Sequence, residues 1–207
     1  MIQSVREFLF SFENVDERIL KAMDVVDRKF FVSDDLKDVV YEDMALGILL
    51  GQTISQPSTV ARMLSLLNLK KGDSILEVGA GSGWNACLIG YLIYPGKIIT
   101  TEVIKEVCEF AKKNIKEFLK ENKIKMNVKV LNKSGFDTNN SWDKIIFTAG
   151  IGKKDEVKIE KFAEEHLNNK GVLVCPFKYG SLIIISKKGN LIKKRYTEED
   201  YVFVPLV

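Results

Sequence analysis

Nine residues carry most of the chemical information in this chain. Ile75-Leu76-Glu77-Val78-Gly79-Ala80-Gly81-Ser82-Gly83 is an apolar run that ends in a carboxylate and a glycine-rich turn, and the helix-like segment Trp84 to Tyr94 follows it. Glycines at alternate positions let a chain turn sharply and bring backbone N–H groups against a ligand, and the positive end of the following helix faces the same ligand. The next apolar run, Lys97 to Thr101, closes on Glu102. A carboxylate about twenty residues past such a turn is placed to accept hydrogen bonds from ribose hydroxyls. The chemistry implied is nucleoside binding, and the turn alone leaves the nucleoside open.

The spacing narrows that choice. A dinucleotide turn needs a third glycine, so that its helix packs close to the strand beneath a pyrophosphate. Trp84 stands there instead. Glu77, two residues before the first glycine, would repel a diphosphate but suits a cationic ligand. S-adenosylmethionine has a sulfonium, an ammonium and no phosphate. The expected cofactor wall is therefore Glu77, Gly79, Ala80, Gly81, Ser82, Trp84, Glu102 and Val103. Glu77 is expected to face the cofactor's positive end or to brace the glycine loop from behind, and Trp84 to pack over the cofactor or to start the helix as core.

A second string, Gly51-Gln52-Thr53-Ile54-Ser55-Gln56-Pro57-Ser58, is rich in hydroxyl and amide groups. One reading makes Ser55 the cap of a helix with Pro57 in its first turn. The other makes Thr53, Ile54, Ser55 and Gln56 a set of donors presented to a substrate.

The rest of the chain must hold these two strings together. From Ser58 onward the pattern alternates: helix 58–67, strand 74–78, helix 84–94, strand 97–102, helix 104–121, strands 126–131 and 143–148, helix 155–168, strand 171–176. Such alternation predicts an α/β, Rossmann-like fold, a mostly parallel sheet with helices on both faces. Residues 1–57 read as a helical then irregular extension, with a helix starting at Asp16, and residues 58–178 as the cofactor-binding core. Residues 179–207 read as three strands, 181–187, 191–196 and 201–206, added antiparallel at one sheet edge. The whole reads as a single domain. In an open parallel sheet, ligands sit beyond the carboxyl ends of the strands, so Gly79–Gly83, Glu102 and the segments after Leu131 and Thr148 should gather at one site.

Composition sets bounds. The chain has 207 residues, 46% of them hydrophobic, enough for one sizeable core. No apolar run suffices to span a bilayer, and Arg6, Glu7 and Glu13 stand where a signal peptide needs an apolar centre, so a cytoplasmic protein with no membrane role is expected. Cys87, Cys108 and Cys175 are far apart, with no pair at metal-ligand or redox spacing, and are expected reduced and buried. With 31 basic against 28 acidic side chains, the net charge of +3 gives no polyanion-binding excess, and no nucleic-acid partner is expected.

Taken together, the Gly51–Pro57 string and Leu76–Trp84 closely resemble the protein-L-isoaspartate O-methyltransferase family. Echoes span nearly the whole chain: Val26-Asp27-Arg28-Lys29-Phe30-Phe31-Val32, Tyr41-Glu42-Asp43, Trp142-Asp143-Lys144-Ile145 and Phe203-Val204-Pro205-Leu206. The resemblance implies a class I methyltransferase fold, S-adenosylmethionine as cofactor, and esterification of L-isoaspartyl carboxylates in damaged proteins and peptides. Ser55 matches the family's active-site serine. The chain departs from the family where a Pro-Leu-Pro-Ile run is replaced by Ala45-Leu46-Gly47-Ile48 and a Gly-Asp-Gly by Val130-Leu131-Asn132, and it has Ser58-Thr59-Val60 where a histidine often stands. The second departure removes an acidic contact to the adenine amino group, which Asn132 or Ser134 would replace in part. Other substrates of the same fold, or a cofactor-binding member without turnover, stay open at this point. Base amino-methylation usually uses an Asp/Asn-Pro-Pro-aromatic string, where this chain has Phe147-Thr148-Ala149-Gly150. Cytosine C5 chemistry needs a nucleophilic thiol, and Cys175 is expected to be core.

Overall fold

The computed structural model describes residues 1–12 and 16–207. Glu13 lies outside the described residues. Two helices open the chain, α1 (Ile2–Phe10) and α2 (Glu17–Val25). Asp16 accepts from the Arg18 N–H at 3.0 Å, satisfying one of the donors a helix start leaves free. The segment from Asp27 to Gly51 is a series of short 3-10 turns interrupted by β1 (Leu46–Gly47), which pairs antiparallel with β2 (Thr53–Ile54).

The core then alternates as α3 (Pro57–Leu67), β3 (Ser74–Val78), α4 (Trp84–Ile93), β4 (Lys97–Glu102), α5 (Lys105–Asn122), β5 (Val128–Asn132), β6 (Trp142–Phe147), α6 (Glu156–His166) and β7 (Leu167–Pro176). After the short β8 (Tyr179–Gly180) come β9 (Leu182–Lys188), β10 (Leu191–Tyr196) and β11 (Tyr201–Val202). The central sheet runs β10-β9-β7-β6-β3-β4-β5; the pairings from β7 to β5 are parallel, and at one end β9 pairs antiparallel with both β7 and β10.

Side-chain alternation explains why this sheet is covered on both faces. Ile75, Ile146, Val174, Leu182 and Ile184 join a core with α1 to α4, whereas Leu76, Val78, Ile145, Phe147, Leu173, Cys175 and Ile183 join one with Ile159, Phe162 and Ala163 of α6. The period of two along each strand sends successive residues to opposite cores. Helix α4 is buried almost all round, which fits its apolar sequence and its place between the sheet and α2.

Two expectations need correction. The strand expected over 201–206 does not extend the main sheet; β11 pairs with β8 as a separate ribbon. Beyond it, Gly150 N–H donates to the Val204 carbonyl and Leu206 N–H to the Gly150 carbonyl, so the tail leaves the sheet edge and crosses toward the loop after β6. Ser55 does not cap α3. That helix begins at Pro57, and Asp43 accepts from the Ser58 N–H at 2.8 Å, taking the capping role from a residue distant in sequence. The three cysteines are free and buried, as expected. Among the described residues no helix is long and apolar enough to cross a membrane.

Candidate active site

The turn after β3 is shaped by glycines in the left-handed region. Gly79, Gly81 and Gly83 have φ of 102°, 53° and 89°. At Gly79 an added Cβ would stand 2.3 Å from Thr148 Oγ1, so glycine is required by space as well as by conformation. The turn is fixed from both sides. Gly79 and Ala80 N–H donate to the Thr101 carbonyl at 2.9 and 3.0 Å, and Thr148 Oγ1 donates to the Gly79 carbonyl at 2.6 Å.

Above this turn lies a cleft of about 940 Å³, including its open mouth. Its wall contains Gly79, Ala80, Gly81, Ser82, Trp84, Glu102 and Val103 from the cofactor set and Thr53, Ile54 and Ser55 from the hydroxyl-rich string. The two strings, separated in the sequence by residues 59–74, therefore meet. Gln56 does not line this cleft. It lines an adjoining groove that shares Thr53, Ser55, Thr148, Phe203 and Val204 with it, and its amide donates to Asp43 Oδ2 at 3.2 Å.

Glu102 is 8% exposed at the end of β4. Oε2 accepts from the Gly81 N–H at 3.3 Å and Oε1 from the Ile104 N–H at 3.1 Å. A carboxylate has about four lone-pair sites, so capacity remains for two hydroxyl donors from the cleft. Glu77 is placed differently. It is absent from the cleft wall and fully buried, because its position on β3 points it at α4. Oε1 accepts from Asn85 Nδ2 at 2.6 Å, and Asn85 is what reaches the cleft. Oε2 has no hydrogen-bond partner among the described residues. Burial pushes the Glu77 carboxyl up to about 7, opposed by Thr100 and Asn85.

Trp84 belongs to the core and also reaches the cleft. The indole N–H donates to the Val26 carbonyl at 2.9 Å, anchoring the ring in the core at 1% exposure, yet part of the residue lines the cleft. At the far end, Asn132 turns its amide back to the Glu102 and Val103 carbonyls, at 2.8 and 3.2 Å. It leaves Lys133, Ser134, Gly135 and Phe136 as lining. His166 ends α6, with Nδ1 3.0 Å from the Asn140 carbonyl, and takes no part in the cleft.

Sequence reasoning missed Asn85, Thr148 and Arg28. Arg28 is wholly buried, and its guanidinium donates to the carbonyls of Val40, Glu42, Met44 and Ser55 at 2.8 to 3.2 Å. Burial lowers its pKa to about 10, so it stays charged at neutral pH. Its burial had no local signal, because Arg28 stands between Asp27 and Lys29 in a charged triplet that reads as a surface turn.

The comparisons with known proteins fall on this geometry. A family model described as Protein-L-isoaspartate(D-aspartate) O-methyltransferase (PCMT) matches residues 9–207. The chain belongs to that family. The protein-L-isoaspartate O-methyltransferase of Thermosipho melanesiensis is 36% identical over 204 residues, covering 93% of this chain and 96% of its own. That of Methanosarcina mazei is 36% identical over 197 residues, covering 93% and 78%. Among solved structures, a Plasmodium falciparum chain described as a beta-aspartate methyltransferase (PCMT), in complex with S-adenosyl-L-homocysteine, superposes with a TM-score of 0.78 at 26% identity, covering 99% of this chain and 97% of that one. The class I methyltransferase fold implied by the family resemblance is thus the fold of this chain, and the mostly parallel sheet expected from the alternating pattern is its core.

Proposed function

We propose that the cleft methylates the free carboxylate of L-isoaspartyl residues in damaged proteins and peptides, with S-adenosylmethionine as donor. The observation that carries this reading is the meeting of Ser55 with the glycine turn and Glu102 in one cavity. The residues fit the cofactor. Gly81 opens toward the cleft with only the Thr53 carbonyl near its missing side chain, Glu102 has acceptor capacity for a ribose, and the buried Glu77 carboxyl lies behind Asn85 where a cation is to be held.

Bound along the wall from Gly79 to Val103, S-adenosylmethionine supplies an electrophilic methyl group. An isoaspartyl carboxylate is already ionised at neutral pH, so no general base is required. Among the described lining residues the titratable side chains are Glu102 and Lys133, and Lys133 Nζ is engaged with the Asp137 carbonyl at 2.9 Å. The chain's contribution is therefore positioning. Ser55 and the backbone N–H groups of Thr53 to Gln56 orient the carboxylate oxygen, Glu102 holds the ribose, and Phe203 to Leu206 cover the site against water. Alignment of this kind contributes on the order of 7–11 kcal/mol in the best intramolecular cases.

Two substitutions separate the half-sites. Glu102→Ala weakens binding of S-adenosylhomocysteine by about tenfold or more in calorimetry, since hydrogen bonds to a charged group contribute about 1.5–3 kcal/mol each. Ser55→Ala lowers kcat/KM for an isoaspartyl peptide and leaves that affinity unchanged. Unchanged cofactor affinity in the first variant, or unchanged turnover in the second, refutes the corresponding role.

A further inference from the structure

The irregular segment from Asp27 to Gln56 is organised around one buried cation. The guanidinium of Arg28 gathers four carbonyls, and the fourth belongs to Ser55, at 3.1 Å from Nη2. It also lies 5.3 Å from the centre of the Trp84 ring, which lines the cofactor end of the cleft. One side chain therefore touches the backbone of the substrate string and the wall of the cofactor site.

The direction of that contact has a chemical consequence. The Ser55–Gln56 peptide is trans, so its C=O and N–H point opposite ways. Arg28 lines neither the cleft nor the adjoining groove, whereas Ser55 lines both and Gln56 lines the groove. With the carbonyl drawn inward to Arg28, the Gln56 N–H points away from the core. It finds no acceptor among the described residues. Asp43 holds the other side of the same turn through the Gln56 amide and the Ser58 N–H, so the peptide plane cannot swing freely.

We infer that Arg28 is a positioning residue of the reaction: by holding the Ser55 carbonyl in the core it turns the Gln56 N–H into the groove, where it donates to the substrate carboxylate beside the Ser55 hydroxyl. This rests on the isoaspartyl reading above. A lysine cannot replace it, because a single ammonium does not present the planar fork that reaches several carbonyls at once.

The test pairs a variant with a measurement on the native protein. Arg28→Lys is compared with wild type by circular dichroism, by calorimetric binding of S-adenosylhomocysteine and by turnover of an isoaspartyl peptide. The expected result is native ellipticity, cofactor affinity within threefold, and a kcat at least tenfold lower. A folded variant with kcat within twofold of wild type overturns the inference, and so does an equal loss of cofactor affinity and turnover, which would make Arg28 structural only. Should the variant not fold, amide exchange of wild type decides. The Gln56 amide exchanges rapidly in the S-adenosylhomocysteine complex and is slowed at least tenfold by saturating isoaspartyl peptide. Slow exchange without peptide, or unchanged exchange with peptide bound, overturns the inference. A wild type that methylates no peptide refutes the isoaspartyl reading and this inference with it, whereas an active wild type with either contrary result refutes the inference alone.

Discussion

Glu102, on the wall of the cleft, and Glu77, buried behind it, are carboxylates in opposite environments. Glu102 sits at a strand end among backbone N–H donors, while Glu77 is sealed between sheet and helix with one oxygen unpartnered among the described residues. A carboxyl with a pKa of about 7 folded and about 4.5 unfolded keeps its proton on folding between those values. As pH rises through that interval the unfolded state gains relative stability, so the ligand-free protein loses up to roughly 3 kcal/mol, with no further change from this group above pH 7. Glu77→Gln keeps the acceptor for Asn85 and removes the titration. Thermal melts from pH 4.5 to 8 should show the variant gaining on wild type as pH rises; parallel curves would show that Glu77 does not titrate there. The sequence made Glu77 legible as an acid next to the cofactor turn. Whether its side chain faces the cofactor or braces the turn from behind stayed open in the sequence, because the pleat direction of β3 depends on how α4 packs against it.

At the level of elements, the turn between β3 and α4 carries the tightest constraint. Gly79→Ala places a methyl group against the Thr148 hydroxyl in a conformation that side chains rarely adopt. A loss of at least about 2 kcal/mol is expected from backbone strain and the displaced hydrogen bond. The denaturant midpoint should fall with the m-value unchanged; an unshifted midpoint would contradict the required fit. Strands β3, β4 and β10 begin and end where the sequence pattern placed them. The mostly buried β3 and β4 announce themselves as apolar runs, whereas β10 is largely exposed and is marked by the Lys188-Gly189-Asn190 turn before it. The end of the chain was less legible. Tyr201 to Leu206 has strand-like composition, but its partners include Tyr179, Gly180 and Gly150, and nothing local specifies pairing across more than twenty, and for Gly150 more than fifty, residues. Ser55 taught a similar lesson: the sequence beside Pro57 favours a cap, and Asp43 supplies it from a separate turn.

For the whole molecule, the fold places two strings from different parts of the chain against one volume. The sheet delivers Gly79 and Glu102 at the carboxyl ends of neighbouring strands, the N-terminal extension delivers Ser55 through β2, and the tail from Phe203 closes the remaining side. Each was visible in the sequence as a motif. Their convergence followed for the strand ends from the topology of open sheets, and for the hydroxyl-rich string only from the family resemblance, because no periodicity relates residues 51–57 to the sheet. The central claim is that this volume brings a methyl donor and an isoaspartyl carboxylate together. The most direct measurement incubates the protein with S-adenosylmethionine labelled in its methyl group and two peptides that differ only in having L-isoaspartate or L-aspartate at one position. Base-labile label on the isoaspartyl peptide alone is the predicted result; no label on either peptide, or equal label on both, contradicts the account.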